Sequence, residues 1–146
     1  MFQNILVPLD ESAYSERALA YAEELSRLTG AALTLVTVCT HLGPSELPEV
    51  QKLDAMAARR AELYLEKRVE AVREAGIADV RKEARFGEPA EVIAGIAGET
   101  GADLIVMSTH GQGAARRYPL GSVAMKVLTT APCPVFMVRI TEETLP

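Results

Sequence analysis

Residues 104–123 read LIVMSTHGQGAARRYPLGSV, and the rest of the chain is best understood outward from this stretch. It begins as a short apolar run, which is typical of a buried strand. It ends at Gly121-Ser122, where the following residues predict a helix. The loop between them holds glycines, arginines, hydroxyls and a histidine but no carboxylate. Glycines let backbone N–H groups approach an anion, and a helix start carries positive potential, so the pattern predicts a phosphate site.

On both sides of this stretch, apolar runs suited to strands alternate with helical patterns. Strands are predicted at residues 4–10, 33–39, 80–86, 103–108 and 131–139, and helices at residues 12–29, 49–75, 89–100 and 121–130. This alternation predicts an α/β fold, in which a parallel sheet is covered by helices on both faces. We expect a three-layer, doubly wound, Rossmann-like sheet of five parallel strands in the order 3-2-1-4-5, flanked by four helices. The apolar first strand should be central, whereas the polar residues 80–86 suit an edge.

The apolar spacing also predicts which sides of the helices are buried. In the first helix the apolar stripe extends as far as Leu28, and in the second it includes Met56 and Leu65. These positions are expected to pack against the sheet.

A length of 146 residues suits one domain, predicted at residues 1–140, followed by a short tail at 141–146. The net charge of −5 argues against a protein that binds nucleic acid or anionic membranes in general. No signal peptide or membrane-spanning run of about 18 apolar residues is predicted, so the expected location is the cytoplasm. Cys39 and Cys133 have neither disulfide nor metal spacing, which predicts buried structural thiols.

Parallel sheets of this kind bind ligands at the carboxyl ends of their strands. Asp10 ends the first predicted strand, Val38 lies at the end of the second, and the glycine-bearing loop begins after Ser108. We therefore expect all three in one pocket. Two simpler interpretations remain open, because Asp10, alone or alongside Ser12, suits a helix cap and Gly121-Ser122 suits an ordinary helix start.

Other polar residues of the loop also have ordinary interpretations. His110 has no nucleophile or second metal ligand assigned to it, which favours a loop histidine held by a backbone hydrogen bond. Arg116 and Arg117 are typical of solvated loop charge, although guanidinium geometry also suits a terminal phosphate. No metal site is predicted.

The loop resembles the nucleotide-binding signature of the universal stress protein family, Gly-x2-Gly-x9-Gly-[Ser/Thr]. Here the signature reads Ser108-Thr-His-Gly111, nine residues, and then Gly121-Ser122. The resemblance covers nearly the whole chain, through ILVPLD at 5–10, GEPAE at 87–91, ADLIVM at 102–107 and APCPV at 131–135. The chain departs from the family pattern where Ser108 replaces the first glycine and where Tyr118-Pro119 replaces the usual aliphatic residues.

The resemblance implies an ATP site of known arrangement. In the ATP-binding branch of the family, an aspartate after the first strand contacts the ribose and the end of the second strand lines the adenine. Glycines and a hydroxyl after the fourth strand hold the phosphates. These positions correspond to Asp10, Val38, Gly111, Gly121 and Ser122. The other candidate nucleotide-binding residues are Pro8, Leu9, Met107, Ser108, Gly113, Arg117 and Val123.

These features favour an ATP-binding regulatory stress protein with little or no catalytic turnover, whose ATP is bound with or without Mg²⁺. The alternative is a nucleotide-free dimeric stress protein that acts through partner contacts, which Ser108 favours. The absence of a nucleophile–base pair argues against an enzyme. A phosphoryl-accepting receiver domain does not fit, because Phe86 and Arg139 stand where aspartate and lysine are needed. We expect a homodimer through the apolar edge strand from Pro134 to Val138, as the family resemblance also implies.

Overall fold

The computed structural model describes residues 1–41, 43, 46–111 and 120–139. Strands and helices alternate within these ranges. They are β1 (Asn4–Pro8), α1 (Ala13–Thr29), β2 (Ala32–Cys39), α2 (Pro48–Glu74), β3 (Val80–Phe86), α3 (Pro89–Thr100), β4 (Leu104–Ser108), α4 (Ser122–Thr130) and β5 (Val135–Val138). All the predicted elements are therefore present, and their ends differ from the predicted ones by a few residues at most.

The sheet has the order β3-β2-β1-β4-β5, and every neighbouring pair of strands is parallel. This confirms the predicted α/β, doubly wound, Rossmann-like fold with the order 3-2-1-4-5. β1 is central and β3 lies at an edge, as their apolar and polar sequences predict. The strand order reverses between β1 and β4, which is where a fold of this kind binds its ligand.

Two apolar layers hold the helices on the sheet. Successive side chains of a strand point to opposite faces, and in β1 Ile5 packs with the buried residues of α1 and α2. Its neighbour Leu6 packs with those of α3 and α4, together with Ile105 of β4. These three side chains are essentially inaccessible to solvent, so the central strands are covered on both faces.

The start of β1 is held by a residue far along the chain. The two carboxylate oxygens of Asp103, just before β4, accept the N–H groups of Gln3 at 2.8 Å and Asn4 at 3.2 Å. The Asp103 N–H donates to the Asn4 carbonyl at 3.0 Å. These bonds align the amino ends of β1 and β4, and thereby align the carboxyl ends that meet at the ligand-binding edge.

The buried faces of the helices are narrower than predicted. Leu65 is fully buried, but Leu28 is 77% exposed and Met56 is 58% exposed, so the prediction is wrong for these two. Successive helical residues turn by about 100°, so Met56, five residues before the buried Ala61, lies about 140° away from it. None of the helices in the described ranges is long and apolar enough to cross a membrane.

The two cysteines are free thiols, and each is only partly buried. The prediction of buried thiols is therefore too strong. Desolvation raises the pKa of Cys39, with a further contribution from Glu11 and Glu62, and desolvation also raises the pKa of Cys133. Both thiols are therefore held in the protonated, less reactive form.

The helix that closes one side of the ligand-binding edge begins with a carboxylate cap. Glu88 is the N-cap of α3, its side chain accepts the N–H of Glu91 at 2.9 Å, and Pro89 is the first helical residue. The bond from Glu91 is the main cause that lowers the pKa of Glu88, with weaker contributions from the Ala90 N–H and from Lys126. The charged form of Glu88 therefore stabilises the folded state.

This cap predicts a pH-dependent contribution to stability. Because the pKa of Glu88 is lower in the folded state than its ordinary value of 4.5, the contribution is complete above that value. It is lost as the pH falls through the folded-state pKa. We expect Glu88→Ala to lower the free energy of unfolding by about 1 kcal/mol at neutral pH. In urea denaturation at successively lower pH, this difference should begin to shrink once the pH falls below 4.5; a difference that stays constant would contradict the role of the charge.

Candidate functional site

A cavity of about 640 Å³ opens at the carboxyl ends of β1, β2 and β4, beside the start of α4. Every predicted site residue within the described ranges lines this cavity. These residues are Pro8, Leu9, Asp10, Val38, Met107, Ser108, Gly111, Gly121, Ser122 and Val123. Gly113, Arg116, Arg117, Tyr118-Pro119 and the predicted tail lie outside the described residues. Four separate segments of the chain are thus brought to one pocket.

Asp10 is held by the turn that starts α1. Ser12 is the N-cap of this helix, because its Oγ accepts the N–H of Ser15 at 3.2 Å. Asp10 Oδ1 accepts both the N–H of Ser12, at 3.1 Å, and the Ser12 hydroxyl. The Asp10 N–H donates to Ser15 Oγ at 3.2 Å. The interpretation of Asp10 as the helix cap is therefore wrong, since Asp10 binds the residue that caps.

The same turn contains a strained residue. Glu11 has a φ of 66°, which is the only positive φ of a non-glycine residue among those described. A conformation of this kind costs on the order of 1 kcal/mol and persists only where the surroundings fix it. Glu11 also pairs with α2, because Arg60 Nε lies 3.1 Å from Glu11 Oε2.

Gly111 lies where the loops after β1 and β4 meet. A Cβ built on this residue would overlap Asp10 Oδ2, so a side chain at this position is incompatible with the observed position of the carboxylate. The absence of a side chain therefore lets the two halves of the pocket approach one another.

The residues between β4 and Gly111 are bonded to one another and to β5. Ser108, which replaces the first glycine of the signature, donates its hydroxyl to the His110 carbonyl at 2.5 Å. The Thr109 N–H donates to the Val138 carbonyl at 3.0 Å. His110 is buried, and its Nδ1 lies 3.0 Å from Thr109 Oγ1. Ser108 is thus accommodated by a hydrogen bond within its own loop.

The start of α4 provides the N–H groups at the other end of the cavity. Gly121 is the N-cap, and its own N–H donates to the Thr109 carbonyl at 2.7 Å. A Cβ on Gly121 would lie 3.2 Å from that carbonyl oxygen, so this position also favours glycine. The first-turn N–H groups of Ser122, Val123 and Ala124 have no carbonyl partner within the helix. An anion would therefore be bound by these groups rather than by the N–H of Gly121.

Sequence reasoning missed part of the apolar wall of the cavity. Val38 and Met107 were predicted, but Pro89 and Ile93 of α3 line the same space, as does Leu120. The α3 pattern is that of an ordinary helix packed on a sheet, so it carries no signal for a ligand. Hydroxyl-bearing residues that were also missed are Ser15, Thr40 and Thr109.

Charge is sparse in the described lining. Asp10 is its only carboxylate, and it contains no lysine or arginine. The described residues contain no group of three or more histidine, cysteine, aspartate or glutamate side chains placed to hold a metal ion. The cavity thus combines an apolar wall, one carboxylate and one helix start, an arrangement typical of a site for a small organic anion.

Comparison with known proteins agrees with this arrangement. The model of the universal stress protein family matches residues 1–139. A universal stress protein of Thermus aquaticus is 39% identical over 145 residues, which is 95% of this chain and all of the relative.

Solved structures extend the comparison to the fold. Universal stress protein UspA from Lactobacillus plantarum aligns with a TM-score of 0.87 at 27% identity, over 94% of this chain and 98% of that one. A universal stress protein solved in complex with cAMP aligns with a TM-score of 0.74 at 25% identity, over 96% of this chain and 99% of that one. A universal stress protein from Archaeoglobus fulgidus, solved in complex with dAMP, aligns with a TM-score of 0.67 at 26% identity, over 94% of this chain and 98% of that one. From the match over residues 1–139, the chain belongs to the universal stress protein family.

Proposed function

We propose that this protein binds an adenine nucleotide, and specifically ATP, in the cavity at the carboxyl edge of its sheet. The observation that carries the proposal is that Asp10 and the first turn of α4 line the same cavity. A carboxylate accepts hydrogen bonds from sugar hydroxyls, and a helix start binds phosphate. The related structures solved with cAMP and dAMP support an adenine nucleotide as the ligand.

The nucleotide would lie across the cavity in a defined direction. Asp10 would contact the ribose, with Pro8 and Leu9 beside it, while Val38 and Met107 would cover the adenine. The phosphates would be bound by the remaining candidate residues, which are Ser108, Gly111, Gly113, Arg117, Gly121, Ser122 and Val123. Any Mg²⁺ would be bound mainly by the phosphates, because Asp10 is the only carboxylate of the described lining.

We propose a regulatory role with little or no turnover of ATP. Transfer of a phosphoryl group requires positive charge around the transferred group. Arg117 is the cation that we propose for the phosphates, but the sequence offers no nucleophile–base pair to go with it. We further propose that the protein acts in the cytoplasm, as its sequence led us to expect.

Calorimetric titration with ATP and with adenosine tests the proposal directly, together with mass spectrometry of protein purified without added nucleotide. We expect saturable binding of both ligands and an adenine nucleotide that co-purifies. Phosphate release from bound ATP should be slow or undetectable. If neither ligand binds at about millimolar concentration, which corresponds to a binding energy of only about 4 kcal/mol, the nucleotide-free alternative replaces this proposal.

We also propose that the protein is a homodimer through β5. This strand lies at the edge of the sheet, and its Phe136 is 39% exposed with its ring centroid 5.9 Å from that of Tyr21. An apolar edge strand presents unpaired backbone groups to a second copy. Sedimentation should show a dimer at micromolar concentration, and Phe136→Glu should yield monomer. Met56→Glu, which also places a charge on an exposed apolar site, should remain dimeric; a monomeric wild type would contradict the proposal.

A further inference from the structure

We propose that Ser12 is a positioning residue that orients the Asp10 carboxylate toward the sugar hydroxyls of the nucleotide, an inference that rests on the proposed function. Ser12 donates two hydrogen bonds to the same oxygen, Asp10 Oδ1: one from its N–H at 3.1 Å and one from its hydroxyl. Ser12 is buried at 9% exposure. It therefore acts on the ligand through Asp10.

The two hydrogen bonds from Ser12 to Asp10 affect the affinity for the nucleotide. A carboxylate on a freely rotating side chain loses that freedom when a ligand binds, and ordering one such side chain weakens binding by roughly 2- to 12-fold. The two bonds from Ser12 order Asp10 before the ligand arrives. The ribose therefore encounters a carboxylate that is already oriented.

The surroundings of Asp10 restrict it from other directions as well. Ser15 Oγ accepts the Asp10 N–H at 3.2 Å, which fixes the backbone. A Cβ built on Gly111 would overlap Oδ2, so this oxygen lies close to the backbone of Gly111. Glu11, between Asp10 and Ser12, is held at a φ of 66° with Arg60 paired to its carboxylate. Strain of this kind is typical of turns whose geometry is part of the function.

Ser12 also caps α1, so its two roles must be separated. A purely structural role predicts that its removal lowers the stability and affects all ligands alike. A positioning role predicts that its removal selectively affects ligands that carry ribose hydroxyls. The ratio of the affinities for adenosine and for 2′,3′-dideoxyadenosine, which lacks both hydroxyls, distinguishes these two roles.

Calorimetric titration of both compounds measures this ratio. Wild-type protein should prefer adenosine by about 10-fold or more. Ser12→Ala should reduce that preference by roughly 3- to 12-fold, mainly through weaker adenosine binding. Ser12→Thr keeps a hydroxyl donor and a capping oxygen, so it should retain most of the preference. If Ser12→Ala does not fold, Ser12→Gly replaces it, because glycine is nearly as good a capping residue.

Ser26→Ala is the matched control. It is the same substitution in the same helix, and Ser26 is similarly buried, but its hydroxyl donates to the Ala31 carbonyl at 2.6 Å at the opposite end of α1. This variant should lose stability and keep the wild-type preference.

A preference in Ser12→Ala within about twofold of wild type, or an equal loss in Ser26→Ala, would overturn the inference. A wild type that binds both compounds equally would also overturn it. A wild type that binds neither compound would instead refute the proposed function, and this inference with it.

Discussion

Replacing Asp10 by alanine is expected to weaken the binding of ATP and of adenosine by the same factor, about 10- to 150-fold. Both ligands carry the ribose that Asp10 would contact, and hydrogen bonds to a charged group are worth about 1.5–3 kcal/mol. Asp10→Asn keeps one oxygen for Ser12, which isolates the loss of charge from the loss of the turn. Calorimetry with both ligands, on variants shown to be folded by circular dichroism, measures the two factors.

Ser122→Ala is the complementary variant at the other end of the cavity. Its hydroxyl lies on the first residue of α4, which only the phosphates would reach. This change should weaken the binding of ATP strongly and leave the affinity for adenosine within about twofold of the wild-type value. If Asp10→Ala leaves adenosine binding intact, or Ser122→Ala weakens both ligands equally, the proposed direction of the nucleotide is wrong.

After Asp10→Ala, Gly111→Ala should have the largest effect on adenosine affinity, although it adds only one methyl group. The new Cβ overlaps Asp10 Oδ2, so the carboxylate must leave its position, and adenosine affinity should fall by about 10-fold or more. The free energy of unfolding should change less than the affinity, because the overlapping atom is the end of a side chain that can rotate into the cavity. Calorimetry and urea denaturation measure the two effects.

Two comparisons make this prediction specific. Gly95→Ala, in α3, adds the same methyl group where nothing lies within 4 Å, so it should leave affinity unchanged. It should raise stability by about 1 kcal/mol, because alanine favours a helix more than glycine does. In an Asp10→Ala background, Gly111→Ala should weaken adenosine little further, since the overlapping oxygen is gone. Additive losses in the double variant would show that Gly111 does not act through Asp10.

The sequence was sufficient to predict the fold, because the pattern of each strand reports its environment. β1 is apolar on both faces and is central, whereas β3 carries Arg81, Lys82 and Glu83 and lies at an edge. Asp10 and Gly121 could be predicted to lie in one pocket because ligands of such sheets bind at the carboxyl ends of the strands, where Asp10 ends one predicted strand and Gly121 follows another.

The remaining features depend on contacts between residues distant in sequence. The bond from the N–H of Gly121 to Thr109 and the position of Ile93 in the cavity wall both follow from how α3 and α4 pack against each other and the sheet. The assignment of Met56 to the core was wrong because alternative apolar stripes on the 27-residue α2 are hard to distinguish from sequence. The sequence could not decide whether Asp10 or Ser12 caps α1, because the side-chain oxygen of either residue can accept an N–H group of the first turn. The structure shows that Ser12 is the cap.

The central position of β1 also determines when this site can form during translation. β1 leaves the ribosome before the other strands of the sheet, but the N–H of Gln3 donates to Asp103, a residue made 100 positions later. A nascent chain that ends after β3 can pair β1 with β2 while the opposite side of β1 has no strand beside it. Ser108, Gly111 and the start of α4 have not yet been synthesised at that stage. The proposed nucleotide site can therefore form only after β4 and the start of α4 have emerged, and a ribosome-bound chain truncated after β3 should show no saturable uptake of ATP.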